Sequence, residues 1–235
     1  MTRIFAALAL VATLLLVTNT FLGLRIGAYH EAAERLQTLQ QKFAQQRQRL
    51  PRDETRIGQL EGERAELYQQ LAPVRRRATL HVLVGVLAAL VTILVQSVCV
   101  TYFIGTSRWC REVVDAYQLD PQWAARSNRL KRRTFPWSLA GIGMVLLLVS
   151  TGAAADPATL RAGTETWVLP HFVCALTTVA AVAWALLIQW LRIGENAAII
   201  EAIVEEVRRI RAERGLDKEE LPRGGAGEGE PELSG

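Results

Sequence analysis

Histidine is the residue type in this chain that is best suited to binding a ligand, and the chain has only three. Two of them, His81 and His171, each lie about one helical turn inside a long apolar segment. Two imidazoles at equal depth on two helices of a bundle can bind the iron of a b-type haem from opposite faces. The spacing therefore predicts a candidate haem site. An alternative is that imidazoles at a membrane edge bond only to headgroups, water or main chain.

Cys174 provides a second, weaker candidate. It lies three residues after His171, so both side chains share one helix face and can bind a metal ion together. The other cysteines, Cys99 and Cys110, complete no C-x-x-C spacing, which argues against a zinc site or a disulfide framework. The sequence motifs of serine hydrolases, metalloproteases and phosphate-binding loops are also absent. An enzymatic role is therefore not expected.

The third candidate is a dense basic cluster that reads RSNRLKRR. Such a cluster can bind the headgroup of an anionic lipid or an acidic partner, or it can serve only to orient the chain in a membrane. Its cations are Arg126, Arg129, Lys131, Arg132 and Arg133. The net charge of +4 does not indicate nucleic-acid binding, because no signature of a nucleic-acid-binding fold accompanies it.

Four long apolar segments without Asp, Glu, Lys or Arg position these candidates. Each is long enough to cross the hydrocarbon core of a bilayer, about 30 Å thick, as a helix. The expected spans are residues 4–24, 79–105, 136–155 and 168–191. The predicted fold class is thus an all-α integral membrane protein with four transmembrane helices. The lack of charge within the spans argues against a pump or an ion-coupled carrier.

The polar block of residues 25–78 is expected to form an antiparallel coiled-coil hairpin outside the membrane. Apolar residues recur every seven positions on both sides of Pro51. Asp53 is suited to cap the second arm, and Pro73 is expected to end it. The predicted seam consists of Leu36, Leu39, Phe43, Ile57, Leu60 and Leu67.

Charge asymmetry predicts the orientation. Residues 106–135 contain seven cations, whereas residues 156–167 contain only Arg161. By the positive-inside rule, the first loop and both termini are cytoplasmic and the second loop is external. The triplet Arg75 to Arg77 disagrees, because it precedes the second span on the external side. Arginine greatly outnumbers lysine, which is typical of a GC-rich bacterial gene and favours a bacterial inner membrane.

Two helical segments are expected on the cytoplasmic side. Residues 106–135 form a helical loop in which Asp120 caps a helix, and Pro136 begins the third span. Residues 192–214 extend the last span as an amphipathic helix. The remaining residues, 215–235, are rich in Gly, Glu and Pro and are predicted to be disordered.

Polar residues within the spans, such as Gln96 and Gln189, are expected to join helices by hydrogen bonds rather than to line a pore.

The leading hypothesis is a non-enzymatic protein for assembly or scaffolding through its hairpin and cytoplasmic helices. Its expected partners are the bilayer and a second copy or another membrane-complex subunit. The alternative is a small redox subunit that binds haem b through His81 and His171. A channel or carrier ranks third.

Overall fold

The fold consists of helices and short turns. The computed structural model describes residues 1–26, 29–48, 53–159 and 163–216, and this part of the chain contains no strand. The α-helices are α1 (Thr2–Leu24), α2 (Tyr29–Gln48), α3 (Glu54–Tyr117), α4 (Gln122–Ala155) and α5 (Val168–Glu213). Two short 3-10 helices, Pro157–Thr159 and Thr164–Trp167, lie between α4 and α5. The predicted disordered tail beyond Leu216 falls outside the described residues.

Four of the helices, α1, α3, α4 and α5, are long and apolar enough to cross a membrane. Two of them are much longer than a bilayer requires. At 1.5 Å per residue, the 64 residues of α3 extend about 96 Å and the 46 residues of α5 about 69 Å. The predicted extension of the last span is confirmed, since α5 continues to Glu213. Each long helix therefore joins an apolar span to polar segments without a break.

Pro73 and Pro136 both lie inside continuous helices. The expectation that Pro73 ends the arm is therefore wrong, and no separate helix begins at Pro136, while the start of the third span stays a prediction. Proline removes one N–H donor and leaves an earlier carbonyl without its helical partner. Both prolines lie on exposed faces of their helices. Near Pro136, Arg192 Nη1 donates a hydrogen bond to the carbonyl of Arg133. Buried side chains before and after each proline keep the helix continuous.

The four long helices form a bundle with a simple order. Neighbours in contact are α1 with α3, α3 with α4, α4 with α5, and α5 with α1. Helices α3 and α5 therefore face each other across the centre. Large side chains at the centre are fully buried, such as Phe5, Phe103 and Ile193. Side chains on the facing sides of α3 and α5 therefore lie near the same central axis.

The connection between α3 and α4 is fixed by local hydrogen bonds. Gln118 adopts a left-handed conformation with a φ of 53° and ends α3. The side chain of Asp120 accepts a hydrogen bond of 2.8 Å from the main-chain N–H of Gln122, where α4 begins. The expected capping role of Asp120 is confirmed. Asp53 likewise accepts a bond of 2.9 Å from the N–H of Arg56 at the start of α3.

A second, smaller core joins α3, α4 and α5 beyond the apolar spans. Cys110, Val114 and Ile203 are buried in it, and Trp123 Nε1 donates a hydrogen bond of 3.1 Å to Glu206 on α5. Burial raises the pKa of the Cys110 thiol above its ordinary value, so the thiol stays protonated at neutral pH. This core joins the three helices at the end of the bundle that is opposite to His81 and His171.

Helix α2 lies against the first part of α3. Gln40 Nε2 donates a hydrogen bond of 3.1 Å to the hydroxyl of Tyr68, and the Arg64 guanidinium lies 5.2 Å from the centre of the Phe43 ring. Gln40 contacts Tyr68, whereas Phe43, which comes later in α2, contacts Arg64, which comes earlier in α3. The two helices therefore run antiparallel. Leu60 is only 3% exposed. The predicted break at Pro51 lies outside the described residues.

Candidate functional site: a histidine pair on the bundle axis

His81 and His171 meet near one end of the bundle. His81 comes from α3 and His171 from α5, the two helices that face each other across the centre. Their ring centres are 6.3 Å apart and the ring planes are inclined at 77°. Both side chains are half-buried. The structure therefore brings together the two residues that the sequence selected, although they are far apart in the chain.

The protein fixes the position of His81 through one ring nitrogen. His81 Nδ1 lies 3.1 Å from the main-chain carbonyl oxygen of Asn19 on α1. A carbonyl can only accept a hydrogen bond, so Nδ1 carries the proton in the neutral ring. The lone pair is then on Nε2, which makes no hydrogen bond to another described residue.

His171 is held in the same tautomer by a different group. Its Nδ1 lies 3.2 Å from the hydroxyl oxygen of Thr151 on α4. That hydroxyl donates its proton to the carbonyl of Leu148 at 3.0 Å, so it must accept from His171. Both imidazoles therefore present a free Nε2. Metal-binding histidines usually have this arrangement, because a hydrogen bond at one nitrogen orients the other towards the metal.

A glycine on the neighbouring helix makes room for each ring. A Cβ atom at Gly23 on α1 would lie 3.1 Å from Cε1 of His81, and one at Gly152 on α4 would lie 3.0 Å from Cε1 of His171. Real Cβ atoms rarely approach other atoms so closely. Each imidazole thus lies directly against the main chain of the helix that supplies its hydrogen-bond acceptor.

The two halves of the bundle repeat the same register. Each buried residue of α1 has a counterpart in α4 that lies the same number of residues later in the chain, and the glycines beside the two rings follow the same spacing. The pairs are Phe5 and Thr134, Ala12 and Gly141, Leu16 and Val145, and Gly23 and Gly152. A second constant spacing relates α3 to α5: His81 to His171, Ala88 to Thr178, Thr92 to Val182, Val95 to Ala185, Cys99 to Gln189, and Phe103 to Ile193. The histidine pair therefore lies on an axis of approximate two-fold symmetry between the pairs α1–α3 and α4–α5.

In the ranges that the structure describes, the pair has no third protein ligand of the usual kind. Among the described residues, no group of three or more His, Cys, Asp or Glu side chains is close enough together to hold a metal ion. Cys174, predicted to act with His171, has its sulfur 3.9 Å from the hydroxyl of Thr178. Any metal at the pair would thus have two imidazoles as its protein ligands.

A chain of buried polar side chains continues along the axis. Gln189 Nε2 donates to Gln96 Oε1 at 2.6 Å and to Ser138 Oγ at 3.0 Å, which joins α3, α4 and α5. Further along, Asn196 accepts a bond of 2.9 Å from Ser127 and donates one of 3.0 Å to Thr106. The expectation that Gln96 and Gln189 join helices by hydrogen bonds is confirmed.

Gly141 on α4 allows the Gln96 amide to occupy its position. A Cβ at residue 141 would lie 2.7 Å from Gln96 Nε2, so Gly141→Ala should displace the amide and break its bond to Gln189. We expect a loss of about 1–2 kcal/mol in stability, the usual cost of leaving a buried polar group without its partner. Thermal unfolding in detergent measures it. Gly143→Ala is the matched control, because nothing lies within 4 Å of its added Cβ. Equal midpoints for both variants would contradict this account of the Gln pair.

The structure does not bring the predicted basic cluster together as one site. The Arg126 guanidinium lies 5.4 Å from the centre of the Trp123 ring, and Arg129 and Arg132 are exposed. Lys131 instead lines a cavity of about 350 Å³ between α3 and α4. Two cations of α3, Arg108 and Arg111, also line it, and the sequence cluster did not include them.

No family model, no curated protein and no solved structure matches this chain.

Proposed function

We propose that this chain is an integral membrane protein with four spans, and that His81 and His171 would hold haem b through its iron. The outer surface of the bundle supports membrane insertion. It is covered with exposed leucines, for example Leu83, Leu90 and Leu169, each more than 60% exposed. The polar side chains Gln96, Gln189 and Asn196 are at the centre instead, fully buried. Such a distribution suits a lipid solvent, since large apolar patches are rare on soluble monomers.

The single observation that carries the haem proposal is the pairing of the two imidazoles with Nε2 free on each. Zinc in proteins normally takes three or four protein ligands, and only two are present among the described residues. Haem iron needs only axial ligands from the protein, because the porphyrin supplies the other four nitrogens. A site with two histidines therefore suits haem iron better than a bare metal ion.

The separation of the rings is consistent with ligation of one metal atom. Metal–nitrogen bonds in proteins are about 2.0 Å, so two imidazoles on opposite sides of one atom have ring centres about 6 Å apart. The observed distance is 6.3 Å. The rings thus have the separation needed to bind one metal atom.

Haem iron would supply one-electron chemistry, and the protein's own residues would tune it. The carbonyl of Asn19 and the hydroxyl of Thr151 accept hydrogen bonds from Nδ1, which makes each Nε2 a better electron donor. The function supported best is therefore electron transfer within a membrane complex.

An absorption spectrum tests this proposal. The protein is expressed in cells with sufficient haem, purified in detergent, and measured after oxidation and after reduction. We expect the sharp bands of a six-coordinate haem b in the difference spectrum, with about one haem per chain. A protein that folds but carries no haem under these conditions would contradict the proposal.

We further propose that the histidine pair lies on the external side and both termini lie in the cytoplasm, as the positive-inside rule favours. Single cysteines at Gln46 and Arg132 in a cysteine-free background test this with an impermeant thiol reagent on intact cells. Position 46 should be labelled and position 132 only after lysis. Arg132 is the better reporter than its neighbour Ser127, because Ser127 is fully buried. The reverse labelling would contradict the orientation.

A second function is supported by the contacts between α2 and α3. The antiparallel packing of Gln40 with Tyr68 and of Phe43 with Arg64 supports a coiled-coil hairpin that projects from the external end of the bundle. Such an arm is a suitable surface for a second copy or another subunit, as assembly of a membrane complex requires. It is compatible with the haem site, because electron-transfer subunits need partners.

A further inference from the structure

We infer that the cavity between α3 and α4 binds the phosphate headgroup of an anionic phospholipid. The cavity has a volume of about 350 Å³, within the range of small-ligand sites. Arg108, Arg111 and Lys131 line it together with the polar side chains of Ser107 and Asn128. Three cations and two neutral hydrogen-bonding groups around one concave space suit a phosphate group.

The cavity is positioned at the end of an apolar span. Its wall includes Ile104, an exposed apolar residue in the last turn of the second span, and the next turns of α3 supply Ser107 and the two arginines. In the proposed orientation, this is the level of the cytoplasmic headgroups. Phosphates of anionic lipids attract basic residues at this level.

Apolar side chains continue from the cavity towards the centre of the span. A second cavity of only about 10 Å³ lies in the same α3–α4 groove and is lined by Val100, Phe103 and Phe135 together with Lys131, Thr134 and Ser138. Lys131 lines both cavities, so they adjoin. Ile104 and Phe135 expose large apolar side chains beside these cavities. A phospholipid can place its phosphate at the cations and an acyl chain against these exposed side chains, whereas free phosphate uses only the first cavity, and this favours a lipid.

The charges facing the cavity favour an anion even after local pairing. Glu112 accepts a hydrogen bond of 2.7 Å from Arg108 Nε and raises the pKa of that arginine, which stays charged. Within the described part of the chain, neither Arg111 nor Lys131 forms a salt bridge with a carboxylate. The cavity thus retains a net positive charge near Arg111 and Lys131.

Native mass spectrometry of the purified full-length protein tests the inference. The probes are phosphatidylglycerol, phosphatidylcholine and inorganic phosphate, each titrated separately. We expect saturable binding of one phosphatidylglycerol and at least about tenfold weaker binding of phosphatidylcholine. Arg111→Gln and Lys131→Gln should each weaken phosphatidylglycerol binding about tenfold, because each removes a charge-assisted hydrogen bond. Lys131→Arg should retain it.

Matched controls separate a specific site from general attraction to charge. Arg129→Gln and Arg132→Gln remove the same charge from exposed positions that do not line the cavity, and they should leave the affinity unchanged within about twofold. Equal weakening by both pairs of variants would overturn the inference in favour of non-specific attraction. Inorganic phosphate that competes as well as the lipid would overturn it in favour of a free-anion site. The test does not depend on haem, so its failure and that of the proposed function are distinguishable.

Discussion

Replacing His81 or His171 with alanine should remove haem from the purified protein. Each substitution deletes one of the two proposed ligands, and no group of three or more His, Cys, Asp or Glu among the described residues offers a replacement. Loss of a residue that merely orients a ligand commonly lowers metal affinity 10–100-fold, so loss of the ligand itself should lower haem content by at least about tenfold. Haem content per chain, measured after denaturation, checks this result.

His30→Ala is the matched control, because it removes the chain's third histidine and leaves the pair intact. Its haem content should equal that of the wild type. Circular dichroism shows whether each variant keeps its helices. A folded His171→Ala protein with full haem content would contradict the assignment of the axial ligands.

Charges placed in the seam of the proposed hairpin should open it. Leu60 is 3% exposed and Leu39 is half-buried, so replacing both with Asp places carboxylates in an apolar contact without partners. Burying an unpaired carboxylate costs far more than so short a pair of helices gains, and the helices should separate. Proteolysis of the reconstituted protein should then cut within residues 35–64 at least about tenfold faster, while the bundle stays intact.

Ala44→Asp and Ala65→Asp together form the matched control, because both alanines are exposed on the same two helices. This double variant adds the same charge and should be cut at the wild-type rate. If the two double variants are cleaved equally fast, the arms are not packed as proposed, and residues 25–78 are a tether rather than a docking surface.

Much of the fold follows from the sequence because its physical causes are local. Apolar length predicts the four long helices, and Asp53 and Asp120 identify two helix starts. The error at Pro73 and the continuous helix at Pro136 have one cause. Proline disrupts a helix by a local cost, whereas packing along α3 and α4 stabilises the helix on both sides of it. Sequence reasoning cannot weigh that packing without knowing which helices are neighbours.

The candidate site was predicted only in part. His81 and His171 could be selected, because histidine is rare in the chain and both lie at equal depth in apolar segments. The supporting residues Asn19, Thr151 and Gly152 could not, since they depend on which helix lies beside which. One sequence pattern could nevertheless have indicated the glycine beside each histidine. A histidine early in one span and a glycine late in the preceding one occur in both halves of the chain.

The cavity between α3 and α4 illustrates the same limit. The sequence drew attention to the run from Arg126 to Arg133, where cations are adjacent in the chain. On a helix, adjacent residues point in different directions, so only Lys131 of that run's cations reaches the cavity. Its partners Arg108 and Arg111 come from another helix. Cations that are close in sequence are therefore a poor guide to a shared site.

Electron paramagnetic resonance of the oxidised protein tests the central claim most directly, because it reports whether ferric haem iron is bound and by which kind of ligand. Haem iron held by two imidazoles would be low-spin in the ferric state. Both histidines have Nδ1 hydrogen-bonded and Nε2 available, so we predict a low-spin ferric signal. It should disappear in the His81→Ala and His171→Ala variants and persist in His30→Ala. A folded protein without low-spin haem iron would contradict the account.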